Sequence, residues 1–440
     1  MIDPCKKALS DAIALHQAGQ LAAAEIKYRG VLELQPDQPD ALHLLGVMAH
    51  QRGDTDTALD LIQRSLAAND DQPRAHNNLG NVYSERSRYA EAVPCYQRAT
   101  ELAPDYARAH ANLGKVLQAL ERSEEACAAL TRALALAPED DGSWATLGAA
   151  HAAVGNLLAA VNAYREAARL ARDPVPAYRQ LSSLLRKTGQ LGEARAVYDQ
   201  WLECAPDDPV ALHLRAACEP GGGPERASDD YVRATFDGFA NEFDQRLEEL
   251  HYRAPEEVVA ALREHRGELP ERELDLLDAG CGTGLCGAHG LGAGARRLVG
   301  VDLSGPMLEC ARSRGGYDEL VEAELTHYLS GLDSEFDGIV SADTLVYFGD
   351  LRPVLTAAAA ALRRPGLLIF TVERSHDETP AGRHVLNRFG RYEHSEPYLR
   401  ETLAEAGFVP LQLETVLLRT EGGLPVIGFL VVAKRGPTPA

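Results

Sequence analysis

The chain has 440 residues, too many for one ordinary hydrophobic core, so two or three domains are expected. Hydrophobic residues make up 45% and charged residues 25%, the balance of a globular chain and not of a disordered or fibrous one. The 44 basic against 65 acidic side chains leave a net charge of −21, a surface that repels phosphate backbones and speaks against nucleic acid as a partner.

From the N-terminus, Met1-Ile2-Asp3-Pro4-Cys5-Lys6-Lys7 lacks an apolar core segment, and no run reaches the roughly 18 apolar residues of a membrane span. Neither export nor membrane insertion is expected. A period follows. Ala24, Ala58, Ala92, Ala126, Ala160 and Ala194 recur every 34 residues without insertion. Twelve residues before each stands a small residue (Ala12, Gly46, Gly80, Gly114, Gly148, Ser182), and four after each a large one (Tyr28, Ile62, Tyr96, Leu130, Tyr164, Tyr198). Pro36, Pro104, Pro138 and Pro206 fall in one phase, each ending a helix. Small facing small lets two helix axes approach, and the large residue fills the gap beside them. That is a helix–turn–helix unit repeated.

The run His76-Asn77-Asn78-Leu79-Gly80-Asn81-Val82-Tyr83, followed by Ala92, Tyr96, Ala99 and Pro104, resembles the tetratricopeptide repeat. Six units over 5–208, capped by a seventh first helix over 209–218, make residues 1–217 an all-α solenoid, expected as a right-handed superhelix with a concave groove. Asn78 and Asn112 share a phase on the inner helix, with Asn77, Asn81, Arg74, Arg108 and Lys115 nearby. A side-chain amide can donate to and accept from one peptide unit, so Asn77, Asn78, Asn81, Asn112 and Lys115 are candidates to hold an extended peptide. Asn is also a default residue of this repeat, and both readings stand. The repeat-phase tyrosines read as core.

Cys218-Glu219-Pro220-Gly221-Gly222-Gly223-Pro224 cannot continue a helix, so 218–228 is a linker and 229–436 a second domain, with 437–440 a tail. Leu274–Asp278, Arg297–Asp302, Asp337–Asp343 and Gly366–Val372 read as strands separated by helical stretches such as 306–314 and 351–363, which implies a parallel sheet covered by helices. Val409–Leu418 and Pro425–Val432 flank a Gly422-Gly423 turn, so the last strand is expected antiparallel at or near the sheet edge. Asp278-Ala279-Gly280-Cys281-Gly282-Thr283-Gly284 places glycines directly after the first strand, where backbone presses on a ligand and a helix begins. Eighteen residues past Gly284, Asp302 ends the second strand, where a carboxylate can accept from both hydroxyls of a ribose. Gly282 to Gly287 also satisfies G-x-G-x-x-G, so a dinucleotide enzyme is a rival. Against it, Asp278 would crowd a pyrophosphate but suits an ammonium.

The glycine segment, Asp302-Leu303-Ser304-Gly305-Pro306-Met307-Leu308, Phe336-Asp337-Gly338-Ile339-Val340 with Asp343, and the closing hairpin together resemble class I S-adenosylmethionine-dependent methyltransferases, over about 231–435. The fold implied is an α/β Rossmann-like domain with an antiparallel final strand. The segment Tyr231 to Asp244 resembles that family's N-terminal lid helix. Repeats first, then Ser341-Ala342-Asp343-Thr344-Leu345-Val346-Tyr347-Phe348-Gly349-Asp350-Leu351, resemble bacterial methyltransferases containing tetratricopeptide repeats. The resemblance implies S-adenosylmethionine as cofactor. Gly280, Cys281, Gly282 and Gly284 would pass against it, Asp278 take its amino group and Asp302 its ribose, with Leu303 and Met307 alongside. Glu324, followed by Leu325, would take the adenine amine, although Glu322 is also available. Cys281 reads as a packed thiol.

Methyl transfer relies mainly on alignment, and a base matters only where the acceptor must lose a proton. Asp343, Tyr347 and His394 are the catalytic candidates, with Glu373 and His376 after the fourth of these strands also eligible. His394 reads equally as a surface or capping histidine, and Asp343 as a strand-end hydrogen-bonding group. The eight cysteines contain no Cys-x-x-Cys pair, so no metal site is expected, and dilute reduced thiols point to the cytoplasm. The expected function is methylation of a peptide or protein recruited by the repeats. A small quinone-like or acyl acceptor, with the repeats docking a partner, and a non-catalytic cofactor-binding adaptor are the alternatives.

Overall fold

A computed structural model describes residues 4–219, 223–268, 273–375 and 384–436. His376, the tail 437–440 and part of the expected linker lie outside the described residues. The chain divides into two compact units, Met1–Leu184 and Leu185–Ala440.

Helices run in pairs, beginning Pro4–Gln17 with Leu21–Leu34 and Pro39–Gln51 with Thr55–Ala68, and ending Val175–Lys187 with Leu191–Cys204 before a single helix Pro209–Ala216. The 34-residue alanines are fully buried. Each phase proline lies two residues past its helix end, where it blocks continuation. The small residue of the first helix meets the large residue itself: a Cβ on Gly80 would stand 2.6 Å from Tyr96 Cε1, and one on Gly148 would stand 2.8 Å from Tyr164 Cδ1. Gly46 and Gly114 stand likewise against Ile62 and Leu130. In these four repeats the large side chain therefore lies on the glycine rather than beside it, leaving no room for a Cβ there, whereas the first and sixth repeats carry Ala12 and Ser182.

The second unit is built on a sheet of β1 (Leu274–Ala279), β2 (Ala295–Asp302), β3 (Glu319–Glu322), β4 (Phe336–Ser341), β5 (Leu362–Arg374), β6 (Val385–Leu386), β7 (Tyr392–His394), β8 (Phe408–Glu421) and β9 (Leu424–Arg435). Its order is β3-β2-β1-β4-β5, parallel throughout; β9 then pairs antiparallel with β5 and β8 with β9. β1 and β4 are buried along their whole length, as a strand covered on both faces must be. The β8–β9 hairpin closes through Gly422 and Gly423, both at positive φ, as a two-residue turn demands. β3 is not among the strands the sequence predicts: four residues with two glutamates offer too little pattern. The lid is not one helix. Asp229–Phe236 gives way at Asp237–Glu242 to a 3-10 turn, broken at Phe239 (φ −136°, ψ 21°), before a second helix, Phe243–Glu249.

The unit boundary falls ahead of the Gly/Pro segment because the last repeat helices belong to the second core. His213 stacks on Tyr231 at 3.8 Å between centroids and its Nε2 meets the Gly390 carbonyl at 2.9 Å. Arg186 donates to the Arg388 carbonyl at 2.5 Å, and Ala217, Leu386 and Tyr392 share a buried cluster.

Candidate active site

A cavity of about 380 Å³ opens between the lid and the carboxyl ends of the strands. Gly280, Cys281, Gly282, Asp302, Leu303, Met307, Glu324 and Leu325 line one part of it, and Asp343, Tyr347, Arg391, Arg419 and Glu421 another. Sheet order dictates this split: the first group follows β1, β2 and β3, the second follows β4 or comes from the β5–β9–β8 side.

The glycine loop needs its glycines. Gly280, Gly282 and Gly284 have φ of +80°, +53° and +87°, a region that strains any side chain. A Cβ on Gly280 would collide with Thr344, whereas on Gly282 the nearest atom would be Phe243 of the lid at 4.0 Å. The helix after the loop is a single turn, Leu285–Ala288, shorter than expected. Asp302 is fixed from two sides: Oδ2 accepts from Gly282 N at 2.8 Å and Oδ1 from Ser304 N at 2.9 Å. Burial raises its carboxyl above the ordinary range against those amides.

Two expected cofactor residues sit back from the cavity wall. Gly284 faces Ala311 and Tyr317. Asp278 is fully buried and accepts from Tyr317 OH at 2.6 Å. Burial pushes its carboxyl up to about 6 although the Tyr317 hydroxyl and the Cys286 thiol oppose it. Glu324 departs further from expectation. It caps the helix Leu325–Ser330, accepting from Thr326 N at 3.0 Å and His327 N at 2.7 Å, and Arg226 donates to it at 2.6 Å. It is thus a helix cap lying in the cavity wall, its Oε1 doubly engaged and its Oε2 bearing a single amide.

His394 is corrected. It is fully buried, off the cavity, stacked on Tyr398, with Nε2 3.2 Å from the Gly349 carbonyl; burial pushes its imidazole down to about 4. Ser395, not His394, caps the helix Glu396–Glu405. Tyr347 lines the cavity edge-on to Phe236 at 5.6 Å, its phenol raised by burial. Asp343 stands at φ +55° and belongs to a cluster that sequence reading misses. Arg419 donates to Asp343, Glu373 and Glu421, and Arg391 to Glu373 at 2.5 Å and Glu421 at 2.8 Å. Burial and the nearby Glu373 raise the Asp343 carboxyl against the pull of Arg419. The one signal in the sequence is a charge, Arg419, directly after the apolar run Val416-Leu417-Leu418. Arg226, Arg391 and Glu421 carry none.

The lid is pinned to the same loops. Ser304 Oγ donates to Asp237 at 2.6 Å, Thr283 Oγ1 donates to Asp244 at 2.6 Å, and Arg314 also pairs with Asp244. Phe236, Phe239 and Phe243 form an aromatic wall with centroids 5.9 Å apart.

In the repeats, the candidate peptide residues bind one another. Asn112 donates to Asn77 and Asn81 at 3.0 Å, Tyr96 donates to Asn81 at 2.9 Å, and Asn78 meets His43 at 2.8 Å. Asn77 is buried, and Lys115 is exposed.

A methyltransferase-domain model matches residues 277–370, and tetratricopeptide-repeat models match 10–73, 80–121, 107–140 and 175–218. The chain carries tetratricopeptide repeats followed by a methyltransferase domain. Within that domain it is 40% identical over 85 residues to methyltransferase-like protein 27 of Homo sapiens, 19% of this chain and 34% of that protein. It is 29% identical over 150 residues to O-methyltransferase cnsE of Penicillium expansum, 32% of this chain and 53% of that one. The chain thus spans 34% and 53% of these two relatives. Among solved structures, 1,6-didemethyltoxoflavin-N1-methyltransferase of Burkholderia thailandensis, with bound 1,6-didemethyltoxoflavin and S-adenosylhomocysteine, aligns at 26% identity and TM-score 0.39, covering 50% of this chain and 94% of that one. YrrB, a TPR protein with an unusual peptide-binding site, aligns at 20% and TM-score 0.40, covering 43% and 97%. No helix among the described residues is long and apolar enough to cross a membrane.

Proposed function

We propose that the methyltransferase domain uses S-adenosylmethionine and that the repeats recruit a peptide or protein carrying the acceptor. The observation that carries the cofactor assignment is Asp302, its two oxygens held by Gly282 N and Ser304 N in the cavity wall, where the carboxylate can still accept from a ribose hydroxyl. The rest of the loop fits the group. Gly282 leaves room under the lid, and the buried Asp278 carboxylate behind the glycines, met by the Tyr317 hydroxyl and the Cys286 thiol, is complementary to an ammonium. When bound, the cofactor supplies a methyl group on a sulfonium and leaves as a neutral thioether. The chain's own work is to align: Asp302 sets the sugar, the lid phenylalanines exclude water, and the Asp343 side receives the acceptor.

Recruitment is supported by the length of solenoid, which a metabolite enclosed in the cavity would not need. Incubation of the full chain and labelled cofactor with lysate of its source organism tests this. Label in macromolecules is expected, and label confined to small molecules would refute recruitment. The bolted lid over 380 Å³ favours a second reading, a small acceptor, with the repeats docking a partner protein. Binding of NAD in place of the sulfonium nucleoside would overturn both.

A further inference from the structure

The cluster beside Asp343 has an odd charge count. Asp343 follows β4, Glu373 ends β5, Glu421 and Arg419 lie on β8, and Arg391 precedes β7. Three carboxylates meet two guanidiniums, so the ionised cluster carries −1. Side-chain exposure is 5% at Arg419 and Glu373 and 12% at Asp343, against 18% at Arg391 and 22% at Glu421, so the Asp343 end of the cluster is the one withdrawn from water. Glu373 is more fully engaged, with both arginines on Oε1 and Asn387 on Oε2 at 2.8 Å. Glu421 is held by both arginines. Asp343 is the least engaged: Arg419 holds Oδ2, and Oδ1 has only Thr371 Oγ1 at 3.4 Å. Unlike Glu373, it lines the cavity, whose wall also includes Tyr252, Tyr347 and Phe236.

We infer that this five-residue cluster is the proton-accepting acceptor subsite, built for an aromatic acceptor that enters neutral with an O–H group, and that Asp343 takes that proton. The inference rests on the methyl-transfer reading and extends it to a substrate class. The argument is charge balance in a buried space. Asp302, Asp278 and the cofactor's amino-acid tail face the reaction unchanged, so the charge it must balance is the sulfonium's +1 against the cluster's −1. During reaction the acceptor oxygen forms its bond to the methyl carbon, the sulfur–methyl bond breaks with its electron pair staying on sulfur, and the O–H proton moves to Asp343. Cluster, thioether and ether are then all neutral, so no net charge is created or stranded. A carboxylate acceptor would put a second negative charge beside the first, and an ammonium would leave an unbalanced positive one. The aromatic walls suit a ring. Burial, which raises the Asp343 carboxyl, acts in the direction a proton acceptor requires.

The test compares two nucleosides on the full chain. S-adenosylmethionine and S-adenosylhomocysteine differ only by the charged methyl, so whatever Asp278 and Asp302 contribute cancels. Calorimetry in buffers of different ionisation enthalpy should show the homocysteine complex holding up to one proton more than the methionine complex. Asp343→Asn should abolish that difference and weaken S-adenosylmethionine about tenfold relative to S-adenosylhomocysteine. If Asp343→Asn does not fold, Glu421→Gln removes the same unit of charge and should have the same effect. Saturation-transfer NMR on the homocysteine complex should detect catechol, and neither benzoate nor benzylamine. Equal proton counts for both nucleosides, or a difference that survives in the variants, overturns Asp343 as proton acceptor. Benzoate or benzylamine binding as well as catechol overturns the acceptor class. Failure of both nucleosides to bind overturns the methyl-transfer reading underneath.

Discussion

Asp302 shapes the glycine loop as well as facing the cavity, because its two carboxylate oxygens tie Gly282 N and Ser304 N together. Asp302→Ala should therefore cost S-adenosylmethionine binding about 2–4 kcal/mol, read by calorimetry, through lost ribose contacts and a loosened loop. Asp278 makes a different prediction. Its carboxyl is raised from 3.8 to about 6, so the folded chain holds that proton more tightly than the unfolded one. The group's contribution therefore falls as pH rises from about 4 to about 6 and stays lost above, a swing of about 3 kcal/mol. Asp278→Asn should gain stability over the parent at pH 8 relative to pH 4 in paired denaturant titrations. At this scale the sequence is partly legible. Gly280, Gly282 and Asp302 follow directly from backbone position and strand ends, which are local. His394 and the Arg391–Arg419 cluster escape a sequence reading because their partners lie tens of residues away, Gly349 for His394 and Asp343 for Arg419, whereas Glu324 is misread because its cap on Thr326 and His327 is local and looks like any loop acid.

Among the helices, the 34-residue period carries a packing rule that can be inverted. Gly80 stands against Tyr96, which is 2% exposed and has nowhere to go, whereas a Cβ added at Gly30, in the helix Leu21–Leu34, would meet nothing within 4 Å. Gly30→Ala should raise stability by up to about 1 kcal/mol through helix propensity. Gly80→Ala should lower it by about 1–3 kcal/mol through overpacking, which outweighs the same propensity gain. Thermal unfolding of the two variants checks both signs. The repeats are legible because one relation recurs at fixed spacing. β3 is not, since Glu319 and Glu322 break its pattern and its place is set by pairing with β2.

For the molecule as a whole, the compact division at Leu184/Leu185 does not follow composition. The glycine-rich segment advertises a boundary near 218, but His213, Arg186 and Ala217 are partners of Tyr231, Arg388 and Leu386. A chain beginning at residue 218 should melt well below one beginning at 185, in a scan of both side by side, because it exposes the Tyr231 ring and the 386–392 loop that leads to Arg391. Lastly, the two bolts from the lid, Asp237 to Ser304 and Asp244 to Thr283 and Arg314, close on loops that also carry the residues proposed to hold the cofactor. On the proposed reading, spent nucleoside would leave only as those bolts slide, so departure rather than bond-making would set the tempo of the cycle, and a solvent thickened with glycerol would slow it.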